Sequence, residues 1–429
     1  MPIWSELQKG EQQELLAVNR SKFEDLKSLG LKLDLSRGKP GPDALDVSNG
    51  LLGALDDYHT EDGTDVRNYG MPDGIPESKK LFSDLLGIPA ENMIVGGNSS
   101  LTHMYNTFVM LYLFGAPDGM GAMDCKPWHR EGPVKILCPV PGYDRHFNLS
   151  IDFGAKLVNI PMRDDGPDMD EVEKLAATDP SVKGIWIVPL YSNPTGCILS
   201  EEKAARLARM KTAAPDFRIF WDNAYGVHHL WNEHKAPDIL SACREAGYPE
   251  RAVYFFSTSK VNFPGGGVGL VAAGHRTVDR MKAHLKKQTV GLDKIAQLRT
   301  VRFFDGKADN VRLHMAKLAE ALRPRFELVM GRLDADFEGT GLVDYKRPLG
   351  GYFISVDVPG GCAKRVVSIA KEAGVVLTPA GATFPYGDDP DDSNLRLAPT
   401  FPSMEDLGDT MDVFAVCVKL AALEKYLAA

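Results

Sequence analysis

Residues 252–270 read A-V-Y-F-F-S-T-S-K-V-N-F-P-G-G-G-V-G-L, and this stretch decides the fold. An apolar, aromatic run typical of a buried strand gives way to small hydroxyl residues, to Lys260, and then to a loop of glycines. A lysine at the mouth of a buried strand is costly unless its amine has chemistry to do, because desolvation favours the neutral, nucleophilic form. The alternative is an exposed lysine that begins a flexible loop.

Similar apolar runs occur earlier in the chain, at 134–140, 184–190 and 218–222, separated by segments with helical spacing such as 200–210. This alternation predicts an α/β fold, with a mainly parallel sheet and helices on both of its faces. The carboxyl ends of the strands carry the site in such sheets. The polar residues just beyond the runs are Tyr143, Asn193, Asp222, Tyr225 and Lys260. Each of these residues taken alone is explained as an ordinary turn residue or loop aromatic. Their shared position at the ends of strands, however, predicts a functional site.

A strand, a glycine turn and a helix start are predicted within residues 92–112. Asn98, Ser99 and Ser100 follow two glycines and are good helix-capping residues. Such a turn offers free backbone N–H groups, short hydroxyls and a favourable dipole to a phosphate. Ordinary helix capping is the simpler interpretation of the same residues.

Two glycine- and proline-rich turns near the N-terminus carry further candidates. An alternating strand over 31–43 turns at Gly38, which Arg37 and Lys39 flank, and Tyr69 lies in a loop before an amphipathic helix. The simpler interpretation of the turn at Gly38 is a solvated turn, and the simpler interpretation of Tyr69 is a surface tyrosine without a function.

The pattern changes near residue 300 to long helical segments with charged faces, followed by a strand pair near 350–359. We therefore expect a second, smaller α+β domain. The predicted division is 1–50 as N-terminal arm and part of the small domain, 51–300 as the large domain, and 301–429 as the C-terminal small domain.

Composition narrows the class of protein. The formal charge of −9 disfavours nucleic acid or an anionic membrane as the main partner. No signal peptide or membrane-length apolar run is visible, so we expect a cytoplasmic protein. The six cysteines form no C-x-x-C pair, which predicts reduced thiols and no thiolate metal site. His228, His229 and His234 lack a companion carboxylate or cysteine at a recognisable spacing, so no metal is expected.

Four motifs occur together in order: S-N-P-T-G at 192–196, D-N-A-Y at 222–225, S-T-S-K at 257–260 and N-L-R-L-A at 394–398. With these the chain resembles a fold-type I pyridoxal-phosphate (PLP) aminotransferase over nearly its whole length. Within that superfamily it is most similar to the bacterial aspartate aminotransferases whose N-terminal signature is D-L-S-R-G-K-P, here 34–40.

The resemblance implies roles for the residues around the cofactor ring. Lys260 would form the internal aldimine with PLP, Asp222 would face the pyridine nitrogen, and Asn193 and Tyr225 would lie near the phenolic oxygen. Tyr143 would stack on the ring. The catalytic residues are therefore expected to be Lys260, Asp222 and Tyr225.

The resemblance also implies how the phosphate and the substrate are held. Arg396 would grip the substrate α-carboxylate, beside Asn193 and the turn of Arg37 and Gly38. The residues expected at the phosphate are Asn98, Ser99, Ser100 and Ser257, with Tyr69 reaching the neighbouring subunit of a homodimer that shares its active sites.

The glycine loop is a departure from the family. Relatives usually carry a phosphate-binding arginine about eight residues beyond the lysine, whereas this chain has Gly265–Gly269 there, interrupted only by Val268. Either backbone N–H groups of the turn replace that charge, or another cation does so from elsewhere.

The expected reaction is amino transfer from L-aspartate to 2-oxoglutarate. A dicarboxylic substrate needs a second cation, for which Arg37 is the first candidate, ahead of Lys39, Arg67 and Lys126. Transamination of an aromatic or alanine-like amino acid, and β-elimination, are enzymatic alternatives. A non-catalytic effector-binding module is the alternative of another class, although the motifs begin by residue 34 and leave no room for a DNA-binding domain before them.

Overall fold

An eight-stranded sheet lies at the centre of the computed structural model, which describes residues 3–428. Thirteen strands occur in this part of the chain: β1 (Leu33–Asp34), β2 (Met93–Val95), β3 (Lys135–Val140), β4 (Lys156–Arg163), β5 (Gly166–Pro167), β6 (Val182–Ile187), β7 (Arg218–Asp222), β8 (Ala252–Ser257), β9 (Gly269–Ala273), β10 (Asp344–Tyr345), β11 (Ile354–Asp357), β12 (Val375–Val376) and β13 (Asn394–Leu397).

Thirteen α-helices accompany the strands in the same range: α1 (Lys9–Ser28), α2 (Pro42–Asp46), α3 (Pro76–Leu86), α4 (Ser100–Val109), α5 (Asp144–Asp152), α6 (Met169–Thr178), α7 (Glu201–Arg209), α8 (Ile239–Glu245), α9 (His275–Gln288), α10 (Lys294–Phe303), α11 (Ala308–Phe337), α12 (Ala363–Glu372) and α13 (Met404–Ala428). No helix among residues 3–428 is both long and apolar enough to cross a membrane.

The order of strands in the central sheet is β2-β9-β8-β7-β6-β3-β4-β5. Within this order, β8, β7, β6 and β3 each pair in parallel with the next strand. β9 runs antiparallel to both of its neighbours, β2 and β8. Strands β6, β7 and β8 are buried at every position, as parallel strands covered on both faces should be. Ile219 and Trp221 of β7 point into one hydrophobic core and Phe220 into another. The predicted α/β fold is confirmed.

The apolar runs locate the strands to within a few residues. Runs 218–222 and 252–257 coincide with β7 and β8, whereas β6 covers Val182–Ile187 and so ends before the predicted run 184–190 does. The strand predicted over 31–43 shortens to the two residues of β1. The chain turns at once, because the Asp34 carboxylate accepts hydrogen bonds from the backbone and hydroxyl of Ser36.

Two small sheets lie apart from the large one. β10, β11 and β13 form an antiparallel sheet, and β1 pairs in parallel with β12. Helix α1 packs against α13, so both the strand and the helix of the N-terminal segment contact C-terminal elements. The division into 1–50, 51–300 and 301–429 stays a prediction, which these contacts support.

Candidate active site

A cavity of about 670 Å³ opens at the carboxyl ends of β6, β7 and β8. This is the edge where polar side chains of neighbouring parallel strands meet. The predicted site residues that line it are Arg37, Gly38, Ser99, Ser100, Tyr143, Asn193, Asp222, Tyr225, Ser257, Lys260 and Arg396. Two predicted residues, Asn98 and Tyr69, are not among its lining residues.

Lys260 ends a short 3₁₀ turn that directly follows β8. Its Nζ donates to the carbonyl oxygen of Gly38 at 3.2 Å and lies 4.4 Å from the centroid of the Tyr352 ring. Burial lowers the pKa of the amine to about 8, although the Asp222 carboxylate acts in the opposite direction. Near neutral pH the amine can therefore both gain and lose a proton.

Asp222 is the last residue of β7 and its side chain is buried. Its Oδ2 lies 2.8 Å from Nε2 of His146, whose ring stacks on Trp186 at a centroid distance of 4.1 Å. Its Oδ1 is buried and has no hydrogen-bond partner within residues 3–428. A buried carboxylate oxygen without a partner is costly. Oδ1 of Asp222 is therefore placed to accept a hydrogen bond from a bound molecule.

Three further polar side chains line the same cavity as Asp222. Tyr225 is buried, and burial raises the pKa of its phenol well above the ordinary value, with Tyr143 and Asp222 acting in the same direction. Tyr143 immediately precedes α5, and Asn193 is buried with its amide oxygen towards Arg396. Tyr225 therefore stays a neutral hydrogen-bond donor.

Arg396 reaches the cavity from β13 in the smaller sheet. One Nη donates to Oδ1 of Asp144 at 3.1 Å and to Oδ1 of Asn193 at 3.3 Å, and the guanidinium lies 4.8 Å from the centroid of Phe353. Its Nε is buried and lacks a partner in the part of the chain that the structure describes. One edge of the planar fork is thus held while the other is left to a ligand, and a guanidinium fits a carboxylate bidentately.

Serine hydroxyl groups also line the active-site cavity. Ser99 caps α4, since its Oγ accepts from the backbone of Leu101 at 3.1 Å, and Ser100 is the first helical residue. Ser257 donates to the hydroxyl of Ser259 at 3.0 Å. The capping interpretation is therefore confirmed, and the phosphate interpretation stays a prediction that is compatible with it, because a capped helix start also presents N–H groups to an anion.

An arginine from a distant helix contacts the glycine loop. Nη2 of Arg299, in α10, donates to the Gly266 carbonyl at 2.7 Å, and its buried Nε is unpartnered among the described residues. The loop continues to Gly269, whose N–H donates to the Gly97 carbonyl in the turn before Ser99. A cation thus stands beside the loop that lacks one of its own.

Only some of the cations that are candidates for binding the side-chain carboxylate of the substrate line the cavity. Arg37 lines it and is exposed, with no carboxylate within ion-pair distance among residues 3–428. Lys39 instead lies 3.7 Å from the centroid of Phe401, and Arg67 pairs with Asp65 at 2.7 Å. Neither of them, nor Lys126, is among the lining residues. Arg145 lines the cavity as well, which the sequence did not indicate.

Tyr69 is 80% exposed and lies outside the cavity of its own chain. The loop that carries it is held in place, because Nζ of Lys294 donates to the carbonyls of Asn68 and Gly70. An exposed aromatic side chain on a secured loop is available to another molecule.

The three histidines at 228–234 do not form a cluster of metal ligands. Nδ1 of His229 lies 2.6 Å from the Tyr191 hydroxyl, and burial lowers the pKa of His228 to about 3. Within residues 3–428 no group of three or more potential ligands is placed to hold a metal ion.

The sequence did not single out His146, Ser259 or Arg145. Ser259 lies inside the quoted S-T-S-K motif, so its position next to Lys260 was an available signal. His146 and Arg145 follow Tyr143 on the first turn of α5, but only the packing of that helix on Trp186 brings the histidine to Asp222.

Comparison with known proteins shows the family of the chain. The family model described as aspartate amino-transferase matches residues 7–429. An aspartate aminotransferase of Corynebacterium glutamicum is 45% identical over 410 residues, covering 95% of this chain and 93% of that protein. The crystal structure of an aspartate transaminase from the same species superposes with a TM-score of 0.95 at 44% identity, covering 99% of each chain.

A more distant structure shows the shared fold alone. The α-aminoadipate aminotransferase LysN of Thermus thermophilus, 19% identical, covers 92% of this chain and 93% of its own with a TM-score of 0.72. The chain is therefore an aminotransferase of the PLP fold-type I kind. It belongs to the aspartate aminotransferase family.

The family implies PLP, and the cavity fits that group. The unpartnered Oδ1 of Asp222 can accept a hydrogen bond from the protonated ring nitrogen of PLP. The amine of Lys260 suits the aldehyde of PLP, and the hydroxyls at the start of α4 suit its phosphate.

Proposed function

We propose that the chain transfers the amino group of L-aspartate to 2-oxoglutarate, with PLP held by Lys260 in the cavity described above. The observation that carries this is the combination of Arg396 with a second, unpaired cation in one cavity with the unpartnered Asp222 carboxylate. A dicarboxylic amino acid requires both cations. We also place the chain in the subgroup with the D-L-S-R-G-K-P signature at 34–40.

When bound, PLP takes up the electrons released as the substrate Cα–H bond breaks. Asp222 supports this by keeping a proton on the ring nitrogen, because an opposite charge favours the protonated form. His146 fixes the orientation of that carboxylate. The neutral hydroxyl of Tyr225 and the amide of Asn193 donate towards the phenolic oxygen.

Lys260 moves the proton. Its amine would hold the cofactor aldehyde, and it is the base that would take the proton from the substrate Cα, for which a pKa near the working pH is favourable. The Gly38 carbonyl and the Tyr352 ring hold the amine in position. Arg396 orients the Cα–H bond by binding the α-carboxylate as a planar fork, which lysine cannot imitate.

Ser99, Ser100 and Ser257, with the N–H groups at the start of α4, form the phosphate site, and Arg299 supplies positive charge from behind the glycine loop. Asn98, exposed and outside the cavity lining, is assigned to this site only as part of its turn. Tyr69 completes the phosphate site of a second copy in a homodimer, which its 80% exposure supports.

Replacing Lys260 with alanine tests the proposal. We expect loss of the visible absorption of the bound cofactor and of turnover, and turnover that persists in Lys260→Ala excludes this role. Half-reaction rates with aspartate, alanine, phenylalanine and cystathionine separate aspartate transamination from the other amino acids and from β-elimination. A rate with aspartate no higher than with alanine contradicts the dicarboxylate assignment.

A further inference from the structure

A second cavity, of about 570 Å³, lies between α3, α11 and the segment 226–240. It shares a wall with the active site. Asp222, Ala224 and Tyr225 line the active-site cavity, whereas Asn223 and Gly226 line the second one. The two cavities are thus on opposite sides of one short segment. None of the residues proposed for the reaction lines the second cavity.

The far wall of the second cavity is one stripe of α11. Arg312, Met315, Ala316, Ala319 and Arg323 line it at the spacing of a single helical face. Apolar side chains continue this surface on the other elements: Leu85, Ile88, Val227 and Ile239. The volume and the apolar walls suit the body of a small organic molecule, since ligand pockets measure about 300–1,000 Å³.

Arg323 gives the cavity a free positive charge. Its Nε donates to the Leu230 carbonyl at 2.6 Å, but no carboxylate of residues 3–428 lies within ion-pair distance of its guanidinium. Arg312, by contrast, pairs with Asp309 at 2.8 Å. A guanidinium held by one edge against a backbone carbonyl presents its remaining donors to an anion.

The acidic groups that line the cavity form no ion pair with Arg323 among residues 3–428. Asp84 pairs with Lys80 at 2.6 Å, and Asp238 caps α8 by accepting from the backbone of Ser241. Glu233 remains, and Lys235, exposed on the same loop, opposes it. The lining thus carries three carboxylates and three cations, and Arg323 is the one of these cations that is partly buried.

Asn223 adds a second polar contact. It is 4% exposed, its Nδ2 donates to the Tyr254 hydroxyl at 2.6 Å, and its Oδ1 is buried without a partner in the described chain. Both Asn223 and Tyr254 line the cavity. An unpartnered buried amide oxygen calls for an N–H or O–H donor.

We propose that this cavity is a second ligand site, for an aromatic carboxylate that also carries an N–H or O–H donor. Arg323 binds the carboxylate, the apolar stripe of α11 packs on the aromatic body, and Asn223 Oδ1 accepts the donor. The site is distinct from the amino-acid site, which uses Arg396 on the opposite side of the shared wall.

Calorimetric titration of the cofactor-loaded enzyme with indole-3-acetate tests the proposal, because this probe combines a carboxylate, an aromatic body and an N–H donor. We expect saturable binding, and binding about tenfold or more weaker for the neutral indole-3-acetamide and for the Arg323→Met variant. Ala319→Phe, which fills the cavity, should weaken binding similarly. Ala316→Phe, on the exposed face of the same stripe, serves if Ala319→Phe does not fold.

Arg396→Met is the matched control, because indole-3-acetate could also enter the amino-acid site. Its affinity for the probe should equal that of the wild type. Absence of saturable binding to the wild type overturns the proposal. So does loss of binding in Arg396→Met, or unchanged affinity in the folded cavity-filling variant.

Discussion

The Asp222 carboxylate and the His146 ring form a buried pair in which only one carboxylate oxygen is used. Oδ2 lies 2.8 Å from Nε2 of His146, and Oδ1 has no partner among residues 3–428. The imidazole is fixed in turn by stacking on Trp186. The free oxygen therefore has a defined direction, set by a residue that does not itself line the active-site cavity.

Replacing His146 with phenylalanine should weaken cofactor binding. The change keeps an aromatic ring against Trp186 but removes the hydrogen bond that fixes the direction of the Asp222 carboxylate towards the cofactor. We expect the cofactor to dissociate about 10- to 100-fold more readily, the loss typical of one hydrogen bond to a charged group. Equilibrium dialysis measures this. His284→Phe, which alters a histidine packed on Phe114 far from the site, is the control, and equal effects of the two variants contradict the role of His146.

The Lys260 amine should couple the stability of the cofactor-free protein to pH. Its pKa is about 8 in the folded chain, against about 10.4 for an unperturbed lysine. Below about pH 8 the amine is protonated in both states, and the folded state bears the full cost of burying the ammonium. Between these two pKa values the unfolded chain binds more protons, so the free energy of unfolding rises with pH.

Urea unfolding of the wild type and of Lys260→Met, over about pH 7 to pH 11, isolates this contribution. The stability advantage of the methionine variant should shrink as pH rises through this window. A difference that does not change with pH would show that the amine is not held in a desolvated site.

Arg37 should determine the preference for dicarboxylic substrates. It is the predicted cation that lines the cavity without an ion-pair partner in the described chain. We expect Arg37→Gln to reduce kcat/KM for aspartate about tenfold or more while leaving alanine unchanged, because only aspartate has a distal carboxylate. Arg145→Gln is the informative comparison, and an effect confined to that variant would transfer the role to Arg145.

Gly38 should not tolerate a side chain. A Cβ there would stand 2.4 Å from Cζ of Phe353, the ring against which Arg396 rests. We expect Gly38→Ala to destabilise the protein by about 1–3 kcal/mol, as overpacking does. Gly331→Ala, in α11 with nothing within 4 Å, should instead stabilise it by up to about 1 kcal/mol. Thermal unfolding of both variants compares them, and equal shifts would refute the steric argument.

Strands that end in polar residues were the part of this molecule most open to prediction. β7 and β8 are continuous apolar runs, so their ends, and with them Asp222 and Lys260, could be located from the sequence. Residues that reach the site through tertiary packing could not. Arg299 touches the glycine loop across 33 positions, and His146 meets Asp222 across 76. No local pattern records how α10 and α5 are oriented.

Contacts across the site join segments that are far apart in the order of synthesis. Lys260 reaches the Gly38 carbonyl across 222 residues, and Arg396 reaches Asp144 across 252. Closing such long loops is entropically costly and slow. A growing chain therefore presents the lysine well before the arginine exists, and the complete pocket forms only after Arg396 has been added. The cofactor, which binds that finished pocket, then acts as a ligand that stabilises the completed fold over its precursors.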